Sequence, residues 1–300
     1  MKIIEPITAT DANIVANNIA GSTLAEWDVS TAYVQGDKVQ VSANHREYEC
    51  LINNTGKDPT GNPLDPSGNP YWYDTGATND RRLFDSRSRS PSVNPLNITV
   101  SVKSMKITNG IALINIFADT LNVTAVSDSA GEVYNEDVML RRYVNTFTDW
   151  FFSPIENITN AVQIDLPLYT DMTITITATV TSGDVSIGEF VFGAVRDIGL
   201  TQYSTSVGIT DYSTKEVDEF GNIFIVERGY ANKIDYDVIV LANRTDYVKR
   251  LLARYRATPL VYVGKEDKPE TITYGYYTKF SEVLEDFANT SLVLSVEEII

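Results

Sequence analysis

Between Met172 and Val180 the chain reads MTITITATV, with Met172, Ile174, Ile176, Ala178 and Val180 separated by threonines. A period of two sends alternate side chains to opposite faces, so this segment predicts a strand with one buried and one solvated face. Comparable runs occupy 97–102, 111–117, 121–126, 161–166 and 185–193, punctuated by turn signals such as DSAGE (128–132) and TSGD (181–184). Together they predict an antiparallel β-sandwich over residues 77–197.

The pattern changes after residue 198. KIDYDVIVL (233–241), LVYVG (260–264), TITYGYYTKF (271–280) and SLVLSVEEI (291–299) read as strands, while 244–256 reads as the one convincing helix. Tyr247, Val248, Leu251, Leu252 and Tyr255 form a stripe at helical spacing. Asn243 or Thr245 is the expected cap, Asp246 suits the positive end of the dipole, and Pro259 stops the helix. Residues 198–300 are thus an α+β domain.

Ahead of the sandwich, residues 1–25 read as an arm with a short helix near Thr10–Ala20, capped by Thr10 or Asp11. Residues 26–76 read as a small β module containing a long Gly-, Pro-, Asn- and Asp-rich loop (53–70). A second polar break, 79–95, carries Arg81, Arg82, Arg87 and Arg89 and reads as a solvated linker or a basic dock for an acidic neighbouring subunit or glycan. The fold class expected is mainly β: a small twisted module, an antiparallel β-sandwich and a C-terminal α+β domain with one main helix.

Charge and rare residues narrow the chemistry. The 24 basic and 40 acidic residues leave a net charge of −16, which argues against nucleic acid as a partner. One histidine (His45) and one cysteine (Cys50) exclude an internal disulfide and argue against triads, Cys–His dyads and zinc sites, which need several such residues. His45 is expected at a turn or edge. Adjacent carboxylates such as Glu216/Asp218/Glu219, Asp235/Asp237 and Glu285/Asp286 read as solvated faces. A calcium site would have to come from the loops of Asp128, Glu132 or Asp184, without EF-hand spacing. No GxGxxG precedes a helix, no segment has the length of a membrane helix, and the first residues lack the apolar core of a signal peptide. The expectation is a non-enzymatic chain with no cofactor and no metal, made in a host cytoplasm without a signal peptide and without membrane insertion.

Aromatic residues concentrate in the module: Trp27, Tyr33, Tyr48, Tyr71, Trp72 and Tyr73. Core packing and stacking on a sugar ring both account for such rings. Their order, with Gly36-Asp37-Lys38-Val39, Tyr48-Glu49-Cys50, Gly56 and Asp58-Pro59, resembles the small chitin-binding carbohydrate modules attached to bacterial chitinases. The resemblance implies that Trp27, Tyr33 and Trp72 are largely structural, and with Tyr48 they are the expected module core. It also implies exposed aromatics after the Tyr48 strand, where this chain has Leu51, Ile52 and Asn53 instead. Tyr71 and Tyr73 are the candidate glycan-binding substitutes: if Trp72 is buried, both face the other way, roughly 7 Å apart.

A wider resemblance covers most of the chain. DTGATNDRRLFD (74–85), TSVGITDYSTKEVDEFGN (205–222), VERGYANKIDYDV (226–238) and RTDYVKRLLARYRATPLVYVG (244–264) are similar to tail-associated virion proteins of bacteriophages and prophages. That resemblance implies a structural component of the tail, baseplate or collar, built into a symmetric ring or attached around it; the expected partners are other tail proteins, further copies in a symmetric homo-oligomer and, for the 26–76 module, a host cell-surface polysaccharide. Residues 198–300 are the expected assembly domain, and Phe220, Ile223 and Phe224, set among charged residues, are the candidate assembly surface. The alternative is a free or accessory glycan-binding protein of a polysaccharide-degrading system.

Overall fold

A computed structural model describes residues 1–104, 106–141, 146–152, 157–284 and 288–299. The Glu285/Asp286 pair lies outside them. The chain is mainly β, with antiparallel sheets and one main helix near its C-terminus. Among the described residues no helix is long and apolar enough to cross a membrane.

The first strands are β1 (Lys2–Pro6) and β2 (Ile14–Asn17). The module follows, with β3 (Ala32–Tyr33), β4 (Lys38–Val41), β5 (Arg46–Cys50), β6 (Asn54–Thr55) and β7 (Trp72–Ala77). It contains a three-stranded sheet β4-β5-β7 and a short β3-β6 pair. The sandwich-like part comprises β8 (Ser92–Lys103), β9 (Gly110–Phe117), β10 (Thr120–Ser127), β11 (Gly131–Met139), the short helix α1 (Phe147–Phe152), β12 (Asn160–Gln163) and β13 (Met172–Asp197). The remainder comprises β14 (Leu200–Thr201), β15 (Ser206–Asp211), β16 (Thr214–Val217), β17 (Ile223–Val226), β18 (Tyr230–Leu241), helix α2 (Thr245–Arg254), β19 (Leu260–Val263), β20 (Ile272–Leu284) and β21 (Asn289–Glu298).

The 26-residue strand β13 is the spine. Along one edge it pairs with β10 and then β9, and along the other with β8 and then β1. The alternation of MTITITATV is realised: Ile174, Ile176 and Ala178 are buried beside their cross-strand partners Val102, Val100 and Ile98 of β8 and Ala125, Val123 and Leu121 of β10. These residues share one apolar core with Leu113 and Ile116 of β9 and Phe190 and Phe192 of β13.

The TSGD segment at 181–184 does not reverse the chain, contrary to expectation. It is an exposed excursion within β13, and the strand rejoins the same neighbour β8 after a register shift between Thr179 and Asp184. Asp119 holds the excursion by accepting the Thr181 N–H at 2.9 Å.

The expected helix at Thr10–Ala20 is also replaced. A single turn spans 11–13, and β2 then adds to the edge of β8. Local capping signals lose here to the ladder hydrogen bonds that β8 offers.

The main sheet continues through residue 197 into the C-terminal part, because β1 lies between β13 and β19. From there the order is β19-β20-β21-β18. Helix α2 buries Val248, Leu251 and Leu252 against a core that includes Tyr236, Val238, Leu260 and Tyr262. Neither Asn243 nor Thr245 caps it by a side chain; Thr245 is its first residue and its hydroxyl donates to Thr290 instead.

Residues 79–95 are not a solvated linker. They form a strap across the body, with Leu83, Ser88 and Ser92 buried. Ser92 Oγ accepts the Leu83 N–H at 3.0 Å and donates to the Asn79 carbonyl at 2.6 Å. Ser88 Oγ donates to the Ile299 carbonyl, while Asn115 donates to the Ser88 carbonyl. Small polar residues are buried here because every such bond is available to them.

Candidate assembly surface and module site

The module is built on Tyr33, Val39, Val41, Tyr48, Cys50 and Trp72, with Trp27 and Tyr71 packed against them half-buried. Trp72 meets Tyr33 edge-on, with ring centroids 5.1 Å apart, and its indole N–H donates to the Lys57 carbonyl at 2.8 Å. Tyr48 accepts from the Asn44 amide, and Tyr33 from the Asp28 N–H. Burial pushes the Cys50 thiol up from its ordinary value. Tyr73 follows Trp72 on β7 and is 60% exposed. Tyr71 precedes the strand and leans on the core, with the Lys57 ammonium 5.5 Å from its ring centre. The two tyrosines therefore sit in different settings, one open and one half-covered, rather than as a matched exposed pair.

The four arginines of the strap serve intramolecular contacts. Arg81 donates to Asp11 at 2.7 Å, and the same carboxylate faces His45 Nε2 at 3.1 Å. Arg82 pairs with Glu47 at 3.4 Å. Arg87 reaches Gly76 on β7. Arg89 lies over the Tyr230 ring and donates to the Tyr230 carbonyl. His45 occupies the turn between β4 and β5 with a φ of 54°. The basic island thus fastens module, arm and C-terminal part to one another.

Beneath the strap lies a buried carboxylate that sequence reasoning missed. Glu189 on β13 accepts the Ser86 N–H at 2.9 Å and hydrogen-bonds the Tyr274 hydroxyl. Burial, and then the neighbouring Asp85, raise Glu189 well above the usual carboxylate range. Burial raises Asp85 as well, against the pull of Arg87, Arg46 and Arg82. The available signal was a lone charge within the apolar run VSIGEFVFG.

The candidate calcium loops hold other partners. Asp128 pairs with Lys103 at 2.6 Å, Glu132 accepts from Asn135, and Asp184 lies in the exposed excursion. Among the described residues no three His, Cys, Asp or Glu side chains converge as a metal site.

A strongly exposed apolar feature is the ribbon β16-β17, whose strands pair only with each other among the described residues. Phe220 at its tip is 90% exposed. Ile223 and Phe224 are exposed too, as are Val217, Ile225 and Val226, which the sequence argument had not singled out. Asp218 shapes the tip: its carboxylate accepts the N–H groups of Phe220 and Asn222, and Gly221 adopts a φ of 83°. This turn points Phe220 away from the body, flanked by Glu219.

A hollow of about 370 Å³ lies elsewhere, between α2 and the β1-β13 pair. It is lined by Glu5, Arg196, Tyr247, Arg250, Leu251 and Arg254. Both oxygens of Glu5 are engaged, one by Arg196 at 2.8 Å and one by Tyr255 at 3.2 Å. No protein-family model, curated protein or solved structure matches the chain.

Proposed function

We propose that the chain is a non-catalytic structural component of a bacteriophage tail, baseplate or collar. It assembles through its C-terminal part and presents the 26–76 module outward for contact with a host-surface polysaccharide. The observation that carries the assembly role is the β16-β17 ribbon. A lone two-stranded hairpin is marginal in water, and this one leaves Val217, Phe220, Ile223, Phe224, Ile225 and Val226 exposed. Apolar surface of this extent on an otherwise acidic chain marks an interaction site. The unpaired outer edges of the ribbon add backbone groups that a neighbour can engage.

The attachment role rests on Tyr73, whose ring is open to solvent on a strand backed by the buried Trp72. A single aromatic platform stacks on a sugar weakly, and repeated copies in a particle raise avidity by about 10²–10⁴.

The test uses virions assembled with Phe220→Ser/Ile223→Ser/Phe224→Ser in place of the native chain. Electron microscopy and quantitative protein analysis of the purified particles are expected to find the triple variant depleted from tails. Incorporation at native occupancy overturns the assembly role.

A further inference from the structure

Two features of the C-terminal part are complementary and cannot meet within one copy. The first is the ribbon tip, where Phe220 projects beside Asp218 and Glu219. The second is the hollow beside α2, with the buried Leu251 in its lining together with Arg250 and Arg254, and with Arg196 paired to the Glu5 carboxylate that also lines it. The hollow belongs to the strongest basic stretch of an acidic chain: residues 244–256 hold five basic residues, Arg244, Lys249, Arg250, Arg254 and Arg256, against Asp246 alone. The ribbon region 211–228 holds five acidic residues against two basic ones.

Their placement in the fold decides who can meet whom. The ribbon leaves the sheet at the Tyr230 end of β18, whereas α2 follows its Leu241 end. The 12 residues of β18 separate the two ends by roughly 36–40 Å, and the ribbon extends the chain from that far end. A copy therefore presents its tip at one end of the domain and its hollow at the other.

We propose that Phe220 of one copy seats in the α2 hollow of the next copy, with Asp218 and Glu219 facing Arg250 and Arg254. This rests on the assembly role given above and names its partner and its site. The occupant is a second copy because both halves of the contact, opposite in charge, lie on the same chain. A hollow of about 370 Å³ is within the usual range for a pocket that holds a small ligand, so one aromatic ring fits. Tyr247 and Leu251 supply its apolar contacts. Arg254 is exposed beside the Tyr255 hydroxyl, and Arg250 pairs with the exposed Asp246, so both guanidiniums can turn toward incoming carboxylates. A contact between different patches on two copies is heterologous: it propagates head to tail and closes into a ring or continues as a stack.

The test uses the full chain in sedimentation and light scattering. The native chain is expected to form species larger than a dimer that dissociate as salt rises. Phe220→Ser and Arg250→Glu/Arg254→Glu each remove association by roughly 30-fold or more, the scale of a central anchor. Both changes lie at exposed positions, and an unaltered melting curve verifies the fold of each variant. Mixing the two variants is the decisive arm. The arginine variant still has an intact tip, and the Phe220 variant still has an intact hollow, so the mixture forms a one-to-one complex and nothing larger. A native chain that stays monomeric, or a mixture that forms no complex, overturns the proposal. Association abolished by Phe220→Ser and untouched by Arg250→Glu/Arg254→Glu also overturns it, while leaving the ribbon's role in the particle to stand on the virion experiment.

Discussion

Glu189 and Ser86 are 103 residues apart in sequence, yet the Glu189 carboxylate accepts the Ser86 backbone N–H at 2.9 Å. This bond ties the 79–95 strap to the middle of β13. It also places an ionisable group where water cannot solvate it, beside a second carboxyl, Asp85, whose ordinary range is likewise raised. The strap is thus held by a group that favours being neutral.

A pH dependence follows. The folded-state value of Glu189 is raised, so the folded chain binds more protons than the unfolded one above the ordinary carboxylate range. Its contribution to stability is complete below that range and is lost as pH rises through the folded value. Glu189→Gln keeps an oxygen for Ser86 and cannot ionise. Urea midpoints compared between about pH 4 and pH 8 are expected to shift in favour of the Gln variant as pH rises. A difference between variant and native chain that stays constant over that interval contradicts the assignment.

Gly188 tests the strap by sterics. A Cβ there would lie 2.1 Å from the Ser88 carbonyl oxygen and 3.0 Å from that of Ile114. Backbone cannot yield as a flexible side chain does, so Gly188→Ala is expected to lift the strap and cost about 1–3 kcal/mol or more. Urea unfolding gives the loss, and faster proteolysis within 79–95 locates it. A variant as stable as the native chain contradicts the close crossing.

Leu252 on α2 is fully buried in the core shared with Tyr236 and Leu294. Leu252→Ala is expected to cost about 2–5 kcal/mol, measured by denaturant unfolding. A loss within the ordinary surface scatter of about 0.5 kcal/mol would place that helix face outside the core.

What could be read from the sequence follows from how each segment is buried. The alternation of 172–180 and the stripe of α2 were legible because each element covers one face only, which leaves a period in the residues. The ribbon surface was legible in part, since Phe220, Ile223 and Phe224 stand among Asp, Gly and Asn that no core would hold. The strap was not. Its buried residues are serines and one leucine, satisfied by hydrogen bonds to segments far away, and such burial leaves no period. Strand β2 was hidden for a related reason: Thr10 and Asp11 signal a helix start, and only the open edge of β8 overrides them. The hollow beside α2 joins Glu5, Arg196 and Leu251, three positions that no local pattern connects.

The module separates a structural aromatic from an exposed one within two residues. Trp72 is 3% exposed, packs edge-on against Tyr33 and donates to the Lys57 carbonyl, so it fixes both the core and the 53–70 loop. Trp72→Ala is expected to cost about 3–5 kcal/mol and to open the module to proteolysis, with or without sugar. Tyr73 is mostly exposed, and Tyr73→Ala is expected to leave stability within about 0.5 kcal/mol of native. If the module stacks on a polysaccharide, the Tyr73 variant loses it while remaining folded. Tyr71→Ala has a mixed effect, because that ring leans on the core and carries Lys57 over its face. The measurement is whole-cell and glycan-array binding by the full chain displayed multivalently, native against Tyr73→Ala, with melting curves for both. Loss of binding with an unchanged melt supports Tyr73 as the contact surface. Equal binding by the two chains, or binding by neither, removes Tyr73 from the attachment role and leaves the module as a folded projection held to the body by Arg81 and Arg82.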